Sequence, residues 1–376
     1  MKNPLTAFGT ATQWAMLAGL AVLAWSALDT RANAQQYKVT NLGTLDGGSS
    51  TASSSSGTAI NGSGQVTGAS TAGSAGMHAF LYSNGSMIDL GTLGGRNSAG
   101  FGINASGQVT GRSEATAPPF PAIAAFHAFL YSNGSMIDLG IPASDATNTF
   151  NQGFAINDRG QVTGDAVTTA NPAVHAFLYS NGSVSDLDLG TLGVGGSAAQ
   201  GINASGEITG SAAAADGTGH LHAFLYSNGS AIDLGTLGGD NSAGYGINAG
   251  GQVTGGSEMP APPFPALPAN HAFLYSNGSM IDLGTLGGAS SVGFGINARG
   301  QVTGEADTAG GRSVAFLYSN GQMVDLNTEI GSAASLYTLK AGYAINDSGQ
   351  IVVDGTVNAT GQGVAFLLTP MTPSGL

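Results

Sequence analysis

Cysteine is absent from the 376 residues, which excludes disulfides, thiol nucleophiles and thiolate metal ligands. Tryptophan is confined to Trp14 and Trp25. Charge is sparse: 8% of residues are charged, with 9 Lys and Arg against 22 Asp and Glu. The net charge of −13 repels phosphate backbones and anionic lipid, which argues against nucleic acid and membrane surfaces as partners. So low a charge density does not describe a self-repelling disordered chain, and 42% of the residues are hydrophobic. Long apolar runs are limited to one, "WAMLAGLAVLAWSAL", from Trp14 to Leu28. Lys2 precedes it and Ala32-Asn33-Ala34 follows it. Residues 1–34 therefore read as a secretory signal peptide, with the mature chain starting at Gln35. The run is short of the ~20 residues of a bilayer span. The expectation is a secreted protein, periplasmic or extracellular, with no stable membrane insertion after cleavage.

What the chain has in excess is glycine, 62 residues, and it is periodic. Three words cycle. The first, "(G/A)IN-x-x-G-(Q/E)-(V/I)", places asparagines at Asn61, Asn104, Asn157, Asn203, Asn248, Asn297 and Asn346, 43–53 residues apart. The second, "(H/V)AFL", starts at His78, His127, His175, His222, His271, Val314 and Val364. The third, "(D/N)LG" and its drifted forms, has its leucine at Leu42, Leu90, Leu139, Leu189, Leu234, Leu283 and Leu326. No 3.6-residue apolar pattern recurs, so helices are not expected.

Each period reads as four short strands. In one copy these are "AGFGIN" ending at Asn104, "QVTGRS" from Gln108, "HAFLYS" from His127 and "SMIDLG" from Ser135. "N-x-x-G" joins the first two as a type I turn, its asparagine capping the turn and its glycine taking the left-handed conformation. "S-N-G" joins the last two as a second tight hairpin with the same chemistry. Four-stranded units of about 47 residues in series are the pattern of β-propeller blades. The series begins one strand out of phase, with the lone fourth strand "YKVTNLG" (Tyr37 to Gly43). It ends on a set of three, "AGYAIN", "QIVVDG" and "VAFLL". The spacing predicts an all-β, seven-bladed propeller over residues 35–370, closed by its N-terminal strand with no open sheet edge, and a short tail over 371–376. An open β-solenoid is the alternative, but it needs neither equal word counts nor complementary ends.

These words resemble the bacterial extracellular repeat family named after His-Ala-Phe, the HAF repeats, on "HAFLY…NG…DLGTLGG" and "GIN-x-x-G-QV-x-G" from Tyr37 to Leu368. The resemblance implies an exported bacterial protein and assigns no biochemical activity. Some members carry a C-terminal sorting tail with a Pro-Glu-Pro word, an apolar span and a basic end. This chain ends "LLTPMTPSGL" and lacks all three, which favours release.

Residues that look like chemistry are mostly repeat residues. One histidine per period falls on separate blades, whereas zinc needs its donors ~2 Å from one ion. A repeated structural hydrogen bond is the expected role, with no metal. His220 adds a lone His-x-His with His222, a weak metal hint. The aspartates of "DLG" (Asp89, Asp138, Asp233, Asp282, Asp325) and the seven asparagines are expected to cap turns and strand edges. Glu114 and Glu258 each follow the second strand of a period, three blades apart. Paired glycosidase carboxylates would stand ~5–10 Å apart, so these two are not expected to form such a pair. No catalytic set, cofactor motif or dinucleotide fingerprint is present.

Variation falls in the longer connections, second strand to third and fourth strand to the next first. Both emerge on one face, so binding is expected there. Two inserts stand out, "EATAPPFPAIAAF" (Glu114 to Phe126) and "EMPAPPFPALPAN" (Glu258 to Asn270). Phe120 and Phe264, with Pro118, Pro119, Pro262 and Pro263, are the candidate ligand-binding residues, since proline-stiffened aromatic flaps lose little entropy on binding. The reading is a secreted, monomeric, non-catalytic scaffold that binds a polysaccharide or cell-envelope component. A polysaccharide lyase or hydrolase on the same fold and a self-associating matrix protein are the alternatives.

Overall fold

Among the described residues of a computed structural model, twenty-eight strands, β1–β28 in chain order, form seven four-stranded antiparallel sheets. The structure describes residues 36–48, 54–115, 125–140, 151–168, 171–187, 195–260 and 268–371, together with Leu189 and Leu192. Blade 1 is β2 (Ser55–Ile60), β3 (Val66–Thr71), β4 (Met77–Ser83) and β5 (Ser86–Asp89). Blades 2–6 repeat this order over residues 94–138, 151–186, 197–233, 242–282 and 287–325. Blade 7 is built from β26 (Tyr337–Ile345), β27 (Ile351–Val357) and β28 (Gly363–Pro370). Its fourth strand is β1 (Tyr37–Asn41), paired antiparallel with β28 from Tyr37↔Pro370 to Asn41↔Phe366. The seven blades and the closing N-terminal strand are thus as the repeat spacing predicts.

The turns follow their residues. In each "N-x-x-G" turn the glycine amide donates to the asparagine carbonyl, as from Gly64 to Asn61 at 3.1 Å, and the glycine is left-handed, φ 79° at Gly64. The "S-N-G" hairpins differ from expectation. Both central residues are left-handed, φ 51° at Asn84 and 82° at Gly85, because a two-residue loop must match the right-handed twist of its strands.

Each blade packs only on its neighbours. Ala128 and Leu139 of blade 2 meet Ile156, Val162, Ala166 and Phe177 of blade 3 in one apolar cluster, and the same layer recurs around the ring. The phenylalanines of "HAFL" (Phe80, Phe129, Phe224, Phe273, Phe316 and Phe366) are fully buried in these layers. The glycine of "QVTG" faces them. A Cβ on Gly111 would stand 1.9 Å from the Ala99 carbonyl oxygen and 2.9 Å from the Phe129 ring, so only glycine fits. Closure does not remove every edge. The outermost strand of each blade is hydrogen-bonded on its inner side alone, which corrects the expectation of no open edge. In blades 1–6 this strand is four residues long, as short as radial sheets leave them.

Candidate functional site: the axial channel

The innermost strand of every blade lines the axis, and in every blade it carries a β-bulge. In β2 the ladder runs Gly57↔Gly68 and then Ala59↔Thr67, so Thr58 is left out. The same skip leaves out Phe101, Phe154, Gln200, Tyr245, Phe294 and Tyr343. A bulge re-aims the side chain it frees. Six of these seven, all but Thr58, line an axial cavity of about 190 Å³. Thr58 instead donates to the Gly100 carbonyl at 2.7 Å. Five of the seven are aromatic. Phe101 and Phe154 stand 5.9 Å apart, Tyr245 and Phe294 5.7 Å, and Phe294 and Tyr343 5.2 Å with an interplanar angle of 25°. Two aromatic walls, blades 2–3 and blades 5–7, are therefore separated by Thr58 on one side and Gln200 on the other. The hydroxyls of Tyr245 and Tyr343 and the amide of Gln200 make no hydrogen bond among the described residues.

One step toward the loop-bearing face, the residue that follows the "VTG" position of the second strand changes from blade to blade. It is Arg112 in blade 2, Asp165 in blade 3, Glu305 in blade 6 and Asp354 in blade 7. The Arg112 guanidinium lies 5.7 Å from the Phe101 ring centre and 4.9 Å from that of Phe126, and donates to Gln152 Oε1 at 3.4 Å. Burial pushes the Asp165 carboxyl up to about 6, against the opposing pull of a Gln152 hydrogen bond and the Arg112 charge. Its Oδ1 is buried and has no hydrogen-bond partner among the described residues. Burial likewise raises Asp354 to about 6, although Ser56 Oγ and the Gly57 amide of blade 1 both donate to it. Glu305 is raised by burial and then by Asp307. The Tyr343 hydroxyl is raised by burial, then by the negative charges of Asp354 and Glu305. Burial alone raises Tyr245.

The Asp165 shift makes stability depend on pH. The folded value lies above the ordinary 3.8, so ionisation is penalised in the folded state. The penalty is absent below about pH 4, grows between 4 and 6 and is full above. It is worth at most about 3 kcal/mol. Asp165→Asn is expected to raise stability at pH 8 by about 1–2 kcal/mol and to change nothing near pH 4, as read from urea midpoints at the two values. A loss of stability at pH 8 would show that the charge is needed by Arg112.

The residues singled out in the sequence lie elsewhere. Phe120, Phe264, Pro118, Pro119, Pro262 and Pro263 fall outside the described residues. Glu114 and Glu258 do not come together. Each binds the start of its own blade: Glu114 accepts from the amides of Arg96 and Asn97 and from Asn97 Nδ2 on the first strand, and Glu258 from the Asp240 amide and Asn241 Nδ2 just before it. Burial works against the Glu114 charge, but those hydrogen bonds outweigh it and hold the carboxyl below its ordinary value. The repeated histidines bond the repeated aspartates of their own blades through Nδ1: His78–Asp89 at 2.9 Å, His127–Asp138 at 2.6 Å, His222–Asp233 at 2.8 Å and His271–Asp282 at 3.0 Å. His175 and Asp186 are looser at 3.8 Å. His220 stands 4.0 Å from Asp240, beyond a hydrogen bond. The aspartates also cap the next turn, as when Asp89 Oδ1 accepts from the Gly91 amide at 2.7 Å. The axial aromatics were visible as the letter before each "GIN" or "AIN", the one position of that word that varies between Thr, Phe, Gln and Tyr.

The fold places the chain among the β-propellers. No family model and no curated protein matches it. Similar solved structures include the β-propeller domain of the trilobed protease from Pyrococcus furiosus, described as having an open velcro topology. The two are 9% identical over 86% of this chain and 99% of that one, with a TM-score of 0.51. A puromycin-hydrolysing peptidase of Mycobacterium tuberculosis is 11% identical over 85% of this chain and 53% of that one, with a TM-score of 0.49. A gluconolactonase of Xanthomonas campestris is 11% identical over 78% and 90%, with a TM-score of 0.37. At these identities the likeness is one of fold alone.

Proposed function

We propose that this chain is an exported, non-catalytic propeller of the His-Ala-Phe repeat group that binds a polysaccharide or another cell-envelope component on its loop-bearing side, at the mouth of the axial channel. One observation carries the reading: six of the seven bulges aim one side chain each at the same cavity, and five of those six are aromatic. Aromatic rings bury the apolar faces of sugar rings. The unpaired hydroxyls of Tyr245 and Tyr343 and the amide of Gln200 offer hydrogen bonds to sugar hydroxyls. Four of the five repeated histidines are tied up in His–Asp contacts within single blades, and among the described residues no histidine lines the axial cavity.

The test is retention of the purified chain from Gln35 on bacterial exopolysaccharide and envelope fractions. Phe294→Ala/Tyr343→Ala is expected to lower retention by tenfold or more, equivalent to about 1.5 kcal/mol. Phe120→Ala/Phe264→Ala runs beside it and reports on the flaps. Full retention by both variants removes the aromatic channel and the flaps as the binding site. A second reading, a polysaccharide hydrolase or lyase, draws on the carboxyls of Asp165 and Asp354, raised to about 6 and so poised for proton transfer near neutrality. Turnover of any polymer, abolished by Asp354→Asn, would establish it in place of the first.

A further inference from the structure

We infer that the ring admitted by this channel carries a positive charge, as a protonated amino sugar unit of a polysaccharide does. The inference rests on the binding reading above and adds the ligand's charge to it. It starts from a contrast between the two aromatic walls. On blade 2 the chain supplies its own cation, Arg112, seated 5.7 Å from Phe101 at the wall. That separation lies within the ~6 Å over which a cation is held by a ring face. On blades 6 and 7 the equivalent strand position carries Glu305 and Asp354, and both act electrostatically on Tyr343 of the second wall. So the wall of Tyr245, Phe294 and Tyr343 has the aromatic part of a cation site with two carboxyls one strand position toward the loop-bearing face, Asp354 bonded to Ser56 and Gly57 and Glu305 not, and among the described residues no base acts on either. Arg299, Arg312 and Lys340, the nearest bases in sequence, form no ion pair among the described residues, Arg299 donates to Gln301 Oε1 instead, and none of the three acts on Glu305 or Asp354. Asp307 adds a third negative charge beside Glu305.

Size and polarity agree. The cavity of about 190 Å³ exceeds the ~150 Å³ that accommodates a benzene ring, which leaves room for part of one sugar ring against the wall at the channel mouth. The free hydroxyls of Tyr245 and Tyr343 stand on the same wall as the carboxyls. A pyranose lying against Phe294 would thus meet hydroxyl partners at its edge and carboxylates for an ammonium substituent. A neutral sugar would leave Glu305 without a partner.

The experiment is calorimetric titration of the chain from Gln35 at pH 7.5 with three matched oligosaccharides: glucosamine oligomers, their N-acetylated forms and cello-oligosaccharides. Glucosamine oligomers are expected to bind at least tenfold more tightly than the other two. Glu305→Gln should remove that preference, bringing glucosamine oligomers down to the affinity of cello-oligosaccharide. Asp216→Asn, which deletes the same charge from an exposed loop, should leave the preference in place. Equal binding of all three sugars, sensitive to Phe294→Ala, would overturn the charge requirement and keep the aromatic site. Equal losses in Glu305→Gln and Asp216→Asn would overturn it too, as general attraction to an acidic protein. Binding of none of the three would take the underlying sugar reading down with it.

Discussion

Replacing Asn297 with alanine is expected to lower the stability of the ring by about 3–5 kcal/mol, although the residue sits in a four-residue turn. Its side chain uses every polar valence. Oδ1 accepts from the amides of Arg299 and Gln301, both at 3.1 Å, while Nδ2 donates to Gln301 Oε1 at 2.8 Å and to the Asn346 carbonyl of the next blade at 3.2 Å. The same inter-blade bond runs from Asn61 to Asn104 and on through Asn157, Asn203, Asn248 and Asn297 to Asn346. Asn346 then donates to Asn61 at 3.0 Å, closing a circle of seven. The asparagines are 2–6% exposed, so groups orphaned by alanine find little water. Four lost hydrogen bonds at about 1 kcal/mol each give the expected magnitude. Aspartate separates the two roles of the residue. It keeps the acceptor that caps the turn but sets a carboxylate against two acceptor oxygens, which raises its pKa in the fold. Asn297→Asp should therefore be most stable below the ordinary carboxylate range and lose stability as pH rises. Urea unfolding at pH 4 and pH 8 checks both, and a cost below about 1 kcal/mol for Asn297→Ala would show that the circle does not hold the blades.

Deletion of Tyr37–Asn41 is the second large effect. Strand β1 brings buried Tyr37 and, just beyond it, buried Leu42, whose amide donates to the Ala365 carbonyl at 3.0 Å. Burial, then the nearby Glu329 charge, raises the Tyr37 hydroxyl to about 12, in keeping with a tyrosine packed into blade 7. Losing the burial of two such side chains costs about 3–6 kcal/mol. It also bares the eight-residue edge of β28, "GVAFLLTP", which is far longer and more apolar than the outer edges of blades 1–6. Such an edge pairs with other chains. The expected result is a lower unfolding midpoint together with dimers or larger species by light scattering. A monomer of unchanged midpoint would mean that closure is incidental to the ring.

Much of this was legible in the letters because it is local. A "N-x-x-G" or "S-N-G" turn is decided by which residues tolerate a left-handed backbone, and "HAFL" is decided by an apolar face repeating with the strand period. Equal word counts and the unpaired first strand gave the blade number and the closing partner. The structural role of the histidines and of the "DLG" aspartates followed from one copy falling on each blade. The site was less legible. Strand alternation alone does not say that Phe101, Tyr245 or Phe294 leaves the ladder, because a bulge is a mismatch between two strands and shows only in their pairing. The partners of Glu114 and Glu258, Asn97 and Asn241, stand 17 residues away, on or just before the first strand of the blade, so no local pattern shows them.

The sequence by itself thus determined the blade, its turns, its buried phenylalanines and the number of copies, since each depends on residues within one repeat. The tertiary structure alone decided what meets at the axis. The asparagine circle joins residues 43–53 positions apart and closes across 285, and the charged residues about the channel are singular letters on different blades. Only closing the ring brings such residues together, and burial there raises Asp165 and Asp354 in a way that no local pattern encodes.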